Sequence, residues 1–143
     1  MAVNSYKMGP GTFKLGTAGA FDVSCQVTSL IVSCSEKVDS DDPIDVLCGE
    51  SIAGEESVTR SWTVSGTLVQ DISATGVVDY TWDNAGDTVT FEFIPNTVGA
   101  RKVTGEVRLV PLSVGGDVKS RPTSDFEWAI PSGSADPVLA AVA

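Results

Sequence analysis

The chain has 143 residues and a mass of 14.9 kDa, a length that suits one domain over 1–143 with enough interior for a real core. Nine Lys and Arg stand against 19 Asp and Glu, so the net charge of −10 excludes a DNA-wrapping or phosphate-gripping role. The absence of histidine excludes Ser-His-Asp and Cys-His nucleophiles, His-based zinc sites and imidazole proton shuttles.

In chain order, residues 1–11 read as an N-terminal arm without the basic start and apolar stretch of a secretory signal, so export by that route is not expected. Gly9-Pro10-Gly11 is no phosphate loop, because no G-K-[ST] follows. Residues 21–28 alternate Phe21, Val23, Cys25 and Val27 with Asp22, Ser24, Gln26 and Thr28, which predicts a strand with one wet face. Cys25, Cys34 and Cys48 match neither a redox pair nor a zinc knuckle and read as reduced, core-compatible side chains. Residues 35–58 hold 8 acids and 1 base, a net charge of −7, with no sustained period, which predicts a long acidic loop.

A second strand is predicted over 61–68, with Trp62, Val64 and Leu68 opposite Ser61, Thr63, Ser65 and Thr67. From Ser73 to Gly86 the spacing of Val77, Val78, Thr81 and Trp82 predicts a short helix, capped by Ser73 or Asp71 and closed by Gly86. Strands follow at 88–93, with Val89, Phe91 and Phe93 opposite Thr88, Thr90 and Glu92, and at 102–109, with Val103, Val107 and Leu109 opposite Lys102, Thr104, Glu106 and Arg108. A shorter one is expected at 124–130, where Phe126, Trp128 and Ile130 alternate with Asp125, Glu127 and Ala129. Trp62, Trp82, Phe91 and Phe93 are assigned to the core, and 131–143 is an oddly apolar C-terminal tail. The fold class is mainly β: a β-sandwich or flattened barrel with one short flanking helix and the long acidic loop.

Little chemistry is on offer. Taking Asp39 as the start of an EF-hand places Asp41, Asp45 and Glu50 at ligand positions, but Pro43 and Ile44 fall where a ligand and a turn glycine are required. The pairs Asp41-Asp42 and Glu55-Glu56 lie in the acidic loop, where burial able to raise a pKa is hard to arrange. No catalytic residue, metal site or cofactor is expected, and no segment approaches the roughly 20 apolar residues of a membrane span. A chain with strand edges, a charged loop and no chemical toolkit is expected to work by assembling.

The order of particular segments carries a resemblance. Gly16-Thr17, Asp22-Val23-Ser24, Val46-Leu47-Cys48-Gly49-Glu50, Trp62-Thr63-Val64-Ser65-Gly66-Thr67-Leu68, Tyr80-Thr81-Trp82-Asp83-Asn84-Ala85-Gly86, Phe91-Glu92-Phe93-Ile94-Pro95-Asn96, Gly105-Glu106-Val107, Gly115-Gly116-Asp117 and Asp125-Phe126-Glu127-Trp128 follow one another over about 12–130. In this succession the chain resembles the major tail tube proteins of long-tailed, non-contractile (siphovirus-type) bacteriophages. The resemblance implies a β-sandwich with a flanking helix, hexameric rings stacked into a hollow tube, and passage of DNA through it without specific binding. It implies that the polar faces of four strands line the lumen: Asp22, Ser24, Gln26 and Thr28; Ser61, Thr63, Ser65 and Thr67; Thr88, Thr90 and Glu92; Lys102, Thr104, Glu106 and Arg108. It also implies that the acidic loop bridges to a neighbouring subunit or ring, being poorly ordered until it does so. The bridging residues are then Val38, Asp39, Asp41, Asp42, Ile44, Asp45, Val46, Leu47, Glu50, Ile52, Glu55 and Glu56, with Arg60, Arg101, Lys102 and Arg121 as basic partners. Expected partners are other copies of the chain, a tape-measure protein, a tail-tip initiator and a tail terminator. The expected location is the virion tail, after assembly in the host cytoplasm. The competing readings are a phage head-decoration or adhesin-like β-sandwich, which needs an exposed apolar patch, and a carbohydrate-active jelly roll, which needs two carboxylates across a groove.

Overall fold

A computed structural model describes residues 5–97 and 101–141. Period-two alternation becomes strands wherever one face is buried. A five-stranded antiparallel sheet is built from β1 (Thr12–Leu15), β2 (Phe21–Asp22), β7 (Thr88–Ile94), β8 (Arg101–Arg108) and β10 (Val138–Ala141), in the order β10-β8-β7-β1-β2. A three-stranded sheet is built from β3 (Val27–Ser40), β6 (Glu56–Val69) and β9 (Thr123–Ala129), in the order β3-β6-β9. The two-residue strands β4 (Ile44–Asp45) and β5 (Ser51–Ile52) pair with each other alone.

The two sheets close on one apolar core. Phe13, Leu15, Phe91, Phe93 and Val107 come from the larger sheet, and Leu30, Val64, Leu68, Phe126 and Trp128 from the smaller. Phe13 is the hinge of this packing, since its ring meets Phe91, Phe93 and Trp128 at centroid distances of 6.3–6.4 Å. At about 25 cal/mol per Å² such aromatic burial dominates the stabilisation. Gly66 marks a close approach: a Cβ there would meet the Ser29 carbonyl oxygen at 2.0 Å, beside the irregularity in register between Val27 and Ser29.

Several expectations require correction. The run 21–28 is not one strand, because the Asp22 carboxylate accepts from the Ser24 amide at 2.9 Å and Gln26 N–H donates to Val23 O, turning the chain between β2 and β3. The helix, α1 (Val77–Asp83), is shorter than 73–86, and neither Ser73 nor Asp71 caps it: Asp71 accepts from the Ser73 amide instead, and Gly76 is the N-cap. Trp82 is not core. It lies on the outer side of α1, 57% exposed, with its indole N–H donating to Leu112 O at 2.8 Å, whereas Val77, Val78 and Thr81 face inward. Trp62 is only half-buried. All three cysteines are exposed, in the turn before β3, on the solvated part of β3 and in the β4–β5 turn.

The largest correction concerns 35–58. This stretch is no unstructured loop: β3 and β6 pair without a break from Leu30↔Gly66 to Ser40↔Glu56, and β4 and β5 continue the ladder toward the tip. The tail also gains a strand, since β10 pairs with β8 from Val138↔Thr104 to Ala141↔Arg101. Residues 1–4 of the predicted N-terminal arm and 142–143 of the predicted tail lie outside the described residues.

Candidate functional site

Two features stand out from the body. The first is the arm formed by the distal halves of β3 and β6. Residues 33–40 and 56–61 are exposed on both faces, so no buried side supports them and the ladder rests on backbone pairing and cross-strand contacts. Glu36 opposes Arg60, whose Nε donates to the carboxylate at 2.8 Å, and this hydrogen bond raises the Arg60 pKa further above its ordinary value. Beyond it Asp41 N–H donates to Glu55 O at 2.8 Å, and Gly54 lets the strands come together: a Cβ there would meet Asp41 O at 1.8 Å. At the tip Ile44 opposes Ile52 and Asp45 opposes Ser51, whose hydroxyl donates to the Asp45 carboxylate.

The arm gathers all twelve residues predicted to bridge subunits. Its tip divides them by chemistry. Ile44, Leu47 and Ile52 are exposed apolar side chains, with Leu47 fully in solvent, and Val38 is exposed further down the ladder. Asp39, Asp41, Asp42, Asp45, Glu50, Glu55 and Glu56 surround them, all exposed, while Val46 is half-buried. A two-stranded hairpin is marginal in water without a third surface, and this one presents its apolar residues outward. Of the predicted basic partners, Arg60 belongs to the arm itself, Arg101 opens β8, Lys102 follows it, and Arg121 lies in the loop before β9.

The second feature is the outer face of the three-stranded sheet. Ser61, Thr63, Ser65 and Thr67 of β6 are flanked by Ser35, Ser33, Ile31 and Ser29 of β3, and Thr63, Ser65 and Thr67 also by Ala129, Glu127 and Asp125 of β9. Hydroxyls tie the rows together: Ser33 Oγ and Thr63 Oγ1 are 3.1 Å apart, and Thr67 Oγ1 donates to Asp125 at 2.6 Å. Neither Lys nor Arg projects from this body face, whose charges are the two acids. The β3 and β9 contributions were not among the expected lumen residues, although the alternation of 124–130 already placed Asp125 and Glu127 on a wet face.

The other expected lumen residues lie elsewhere. Thr88, Thr90, Glu92, Lys102, Thr104, Glu106 and Arg108 occupy the outer face of the five-stranded sheet, where Glu92 opposes both Lys14 and Thr104, Thr90 opposes Glu106 and Thr88 opposes Arg108. Since the inner faces of the two sheets share one core, these outer faces point away from each other. One wall cannot carry both sets within a chain. Asp22 ends β2 opposite Lys14, Ser24 and Gln26 belong to the turn that follows, where Ser24 Oγ accepts from Phe13 N–H at 2.8 Å, and Thr28 donates to Thr67 O at the bulge. Donation from the Ser24 hydroxyl and amide holds the Asp22 pKa below the ordinary carboxylate value.

Among the described residues no cluster of three carboxylates or cysteines is arranged to hold a metal ion, and no helix is long and apolar enough to cross a membrane.

No protein-family model matches the sequence, and no curated protein matches it. Solved structures do. The chain is similar to one in the tail of an empty gene transfer agent particle, refined helically with C6 symmetry, at a TM-score of 0.59 and 18% identity, covering 99% of this chain and 100% of that one. It is also similar to a chain in the virion of a native gene transfer agent particle, at a TM-score of 0.57 and 16% identity, covering 92% and 95%. The chain shares the fold of these tail and virion chains over nearly its whole length.

Proposed function

We propose that this protein is a structural, non-enzymatic component of a phage-like tail, acting as a single domain that assembles into rings, six copies to a ring, stacked as a hollow tube. The observation that carries the reading is the end-to-end likeness of fold to a chain from a C6-symmetric tail. Two further observations support it. Each sheet ends in unpaired edge strands, β3 and β9 in one and β10 and β2 in the other, and unpaired backbone groups invite pairing with another copy. The arm offers twelve exposed or half-buried residues that have no apolar surface of their own chain to cover them.

The bore is assigned to the Ser/Thr face of β3, β6 and β9. A conduit for DNA must not hold it, and hydroxyls with two acids and no base on this face repel phosphates without offering Arg forks or stacking platforms. The opposite outer face mixes the cations Lys14, Lys102 and Arg108 with the acids Glu92 and Glu106, so it offers a passing phosphate chain individual points of attachment that the hydroxyl face lacks. The arm is the bridge between subunits. By the sequence resemblance the tail is long and non-contractile, the protein resides in the virion after assembly in the host cytoplasm, and its further partners are a tape-measure protein, an initiator at the tip and a terminator at the head-proximal end.

Negative-stain microscopy of the concentrated protein tests the reading: rings or tubes with a central hole are expected. Monomers or compact trimers that bind a cell or capsid surface would instead favour the decoration or adhesin reading.

A further inference from the structure

We infer that the apolar groove between β3 and the β8–β10 corner of the larger sheet is the receptor for the arm tip of a second copy. This rests on the assembly reading above and names the surface that the arm meets. The groove has a volume of about 550 Å³ and is lined by Leu30, Val32, Phe93, Val103 and Leu139, with Arg101 its sole charged lining residue among the described residues. Lys7 stands at its rim, where its carbonyl accepts from Asn96 Nδ2 at 2.9 Å, and Asn96 itself lines the groove.

Charge distinguishes the groove from two other concavities of the body. The arm tip presents the exposed apolar residues Ile44, Leu47 and Ile52 together with the exposed carboxylates of Asp41, Asp42, Asp45 and Glu50. A matching depression on the opposite side of β10 is lined by Glu92, Glu106 and Asp136 against one base, Lys14, and repels such a tip. A third, lined by Met8 to Phe13 and Ser24 to Leu30, carries no charge at all. Of these three, the groove at Arg101 combines an apolar floor with a cation and, among the described residues, no acid.

Geometry makes the occupant a second copy. From Val32, in the groove wall, to Ser40 the strand is held in continuous register with β6. Eight steps at about 3.3 Å carry the chain roughly 26 Å away before the tip begins. The arm thus cannot fold back onto its own groove without dismantling its ladder. Seating follows strand addition: the groove lies between two unpaired edges, β3 and β10, and the tip strands are themselves unpaired on their outer sides, so backbone groups meet backbone groups while Ile44 and Ile52 fill the floor.

The test uses the full chain with Cys25, Cys34 and Cys48 replaced by Ser, carrying I52C together with L139C. Both sites are exposed, at 58% and 63%, so neither change opens the core. Oxidation of the concentrated protein should give a ladder of reducible multimers. Pairing I52C with V138C, whose side chain faces the acidic depression, should give none. Arg101→Glu should abolish the ladder, and adding Asp45→Lys should restore it. Rings that form without the I52C/L139C ladder, or a ladder through V138C instead, would overturn the docking and leave the ring reading standing. A ladder in a protein that makes dimers but never rings would uphold the docking and overturn the ring reading. Neither ladder nor rings would overturn both.

Discussion

Phe13 of the larger sheet stands edge-on to Trp128 of the smaller, with ring centroids 6.4 Å apart and planes inclined at 76°. Both side chains are buried, and through them the two sheets act as one body.

Truncating that contact should be costly. Phe13→Ala or Phe91→Ala leaves a cavity in a close-packed core and is expected to destabilise by about 3–5 kcal/mol in denaturant titrations. Trp82→Ala, at an exposed site that contributes one hydrogen bond to Leu112 O, should cost about 1 kcal/mol. Equal losses at Phe13 and Trp82 would mean that the helix face has been assigned wrongly.

The contrast between these aromatics shows what the sequence makes legible. The strands over 88–93, 102–109 and 124–130 emerge within a residue or two, and 61–68 emerges as the body half of the longer β6, because each buries alternate side chains, the one condition under which period two appears. The arm is invisible to that signal: Ser33 through Ser40 are solvated on both faces apart from pairing with β6, so nothing forces apolar and polar residues to alternate. Its acidity reads as a loop for the same reason. Trp82 misleads because a short helix at the edge of a sandwich buries Val77, Val78 and Thr81 and leaves its sixth residue to solvent. The split of the wet faces between two opposed sheets depends on pairing order, and local periodicity carries no information about order.

Gly54 offers a way to damage the arm and spare the body. A Cβ there would lie 1.8 Å from Asp41 O, a backbone atom that cannot give way. Gly54→Ala should leave the thermal midpoint of the body nearly unchanged, because Gly54 touches no core residue, and should abolish multimer formation in sedimentation velocity. Undiminished assembly would remove the arm from the interface.

Acid should weaken the turn before β3. Ser24 donates twice to Asp22 and depresses its folded-state pKa, so the unfolded chain takes up the proton more readily. The stabilisation is present above the unfolded value, near 3.9, and is lost as pH falls through the folded value. Asp22→Asn should therefore lower the urea midpoint near neutral pH, with the difference from the parent fading as pH falls below the unfolded value and through the folded one. A difference that persists in strong acid would assign it to packing.

Charge on the bore should act on DNA and leave assembly alone. Replacing Thr63, Ser65 and Thr67 with Lys adds three cations per copy to a face that has none in the body. Tubes should still form while DNA ejection slows or stalls, with the effect relieved by salt. Normal ejection from normal tubes would place this face outside the bore.

The most direct test of the central claim is electron cryomicroscopy of the assembled protein, because it reads ring, bore and arm in one map. The expected result is a hollow, sixfold tube with Ser33, Thr63, Ser65 and Glu127 facing the bore and each arm extended onto a neighbouring copy. Solid fibres, unassembled monomers, or a tube whose bore is lined by Lys14, Glu92 and Glu106 would contradict it.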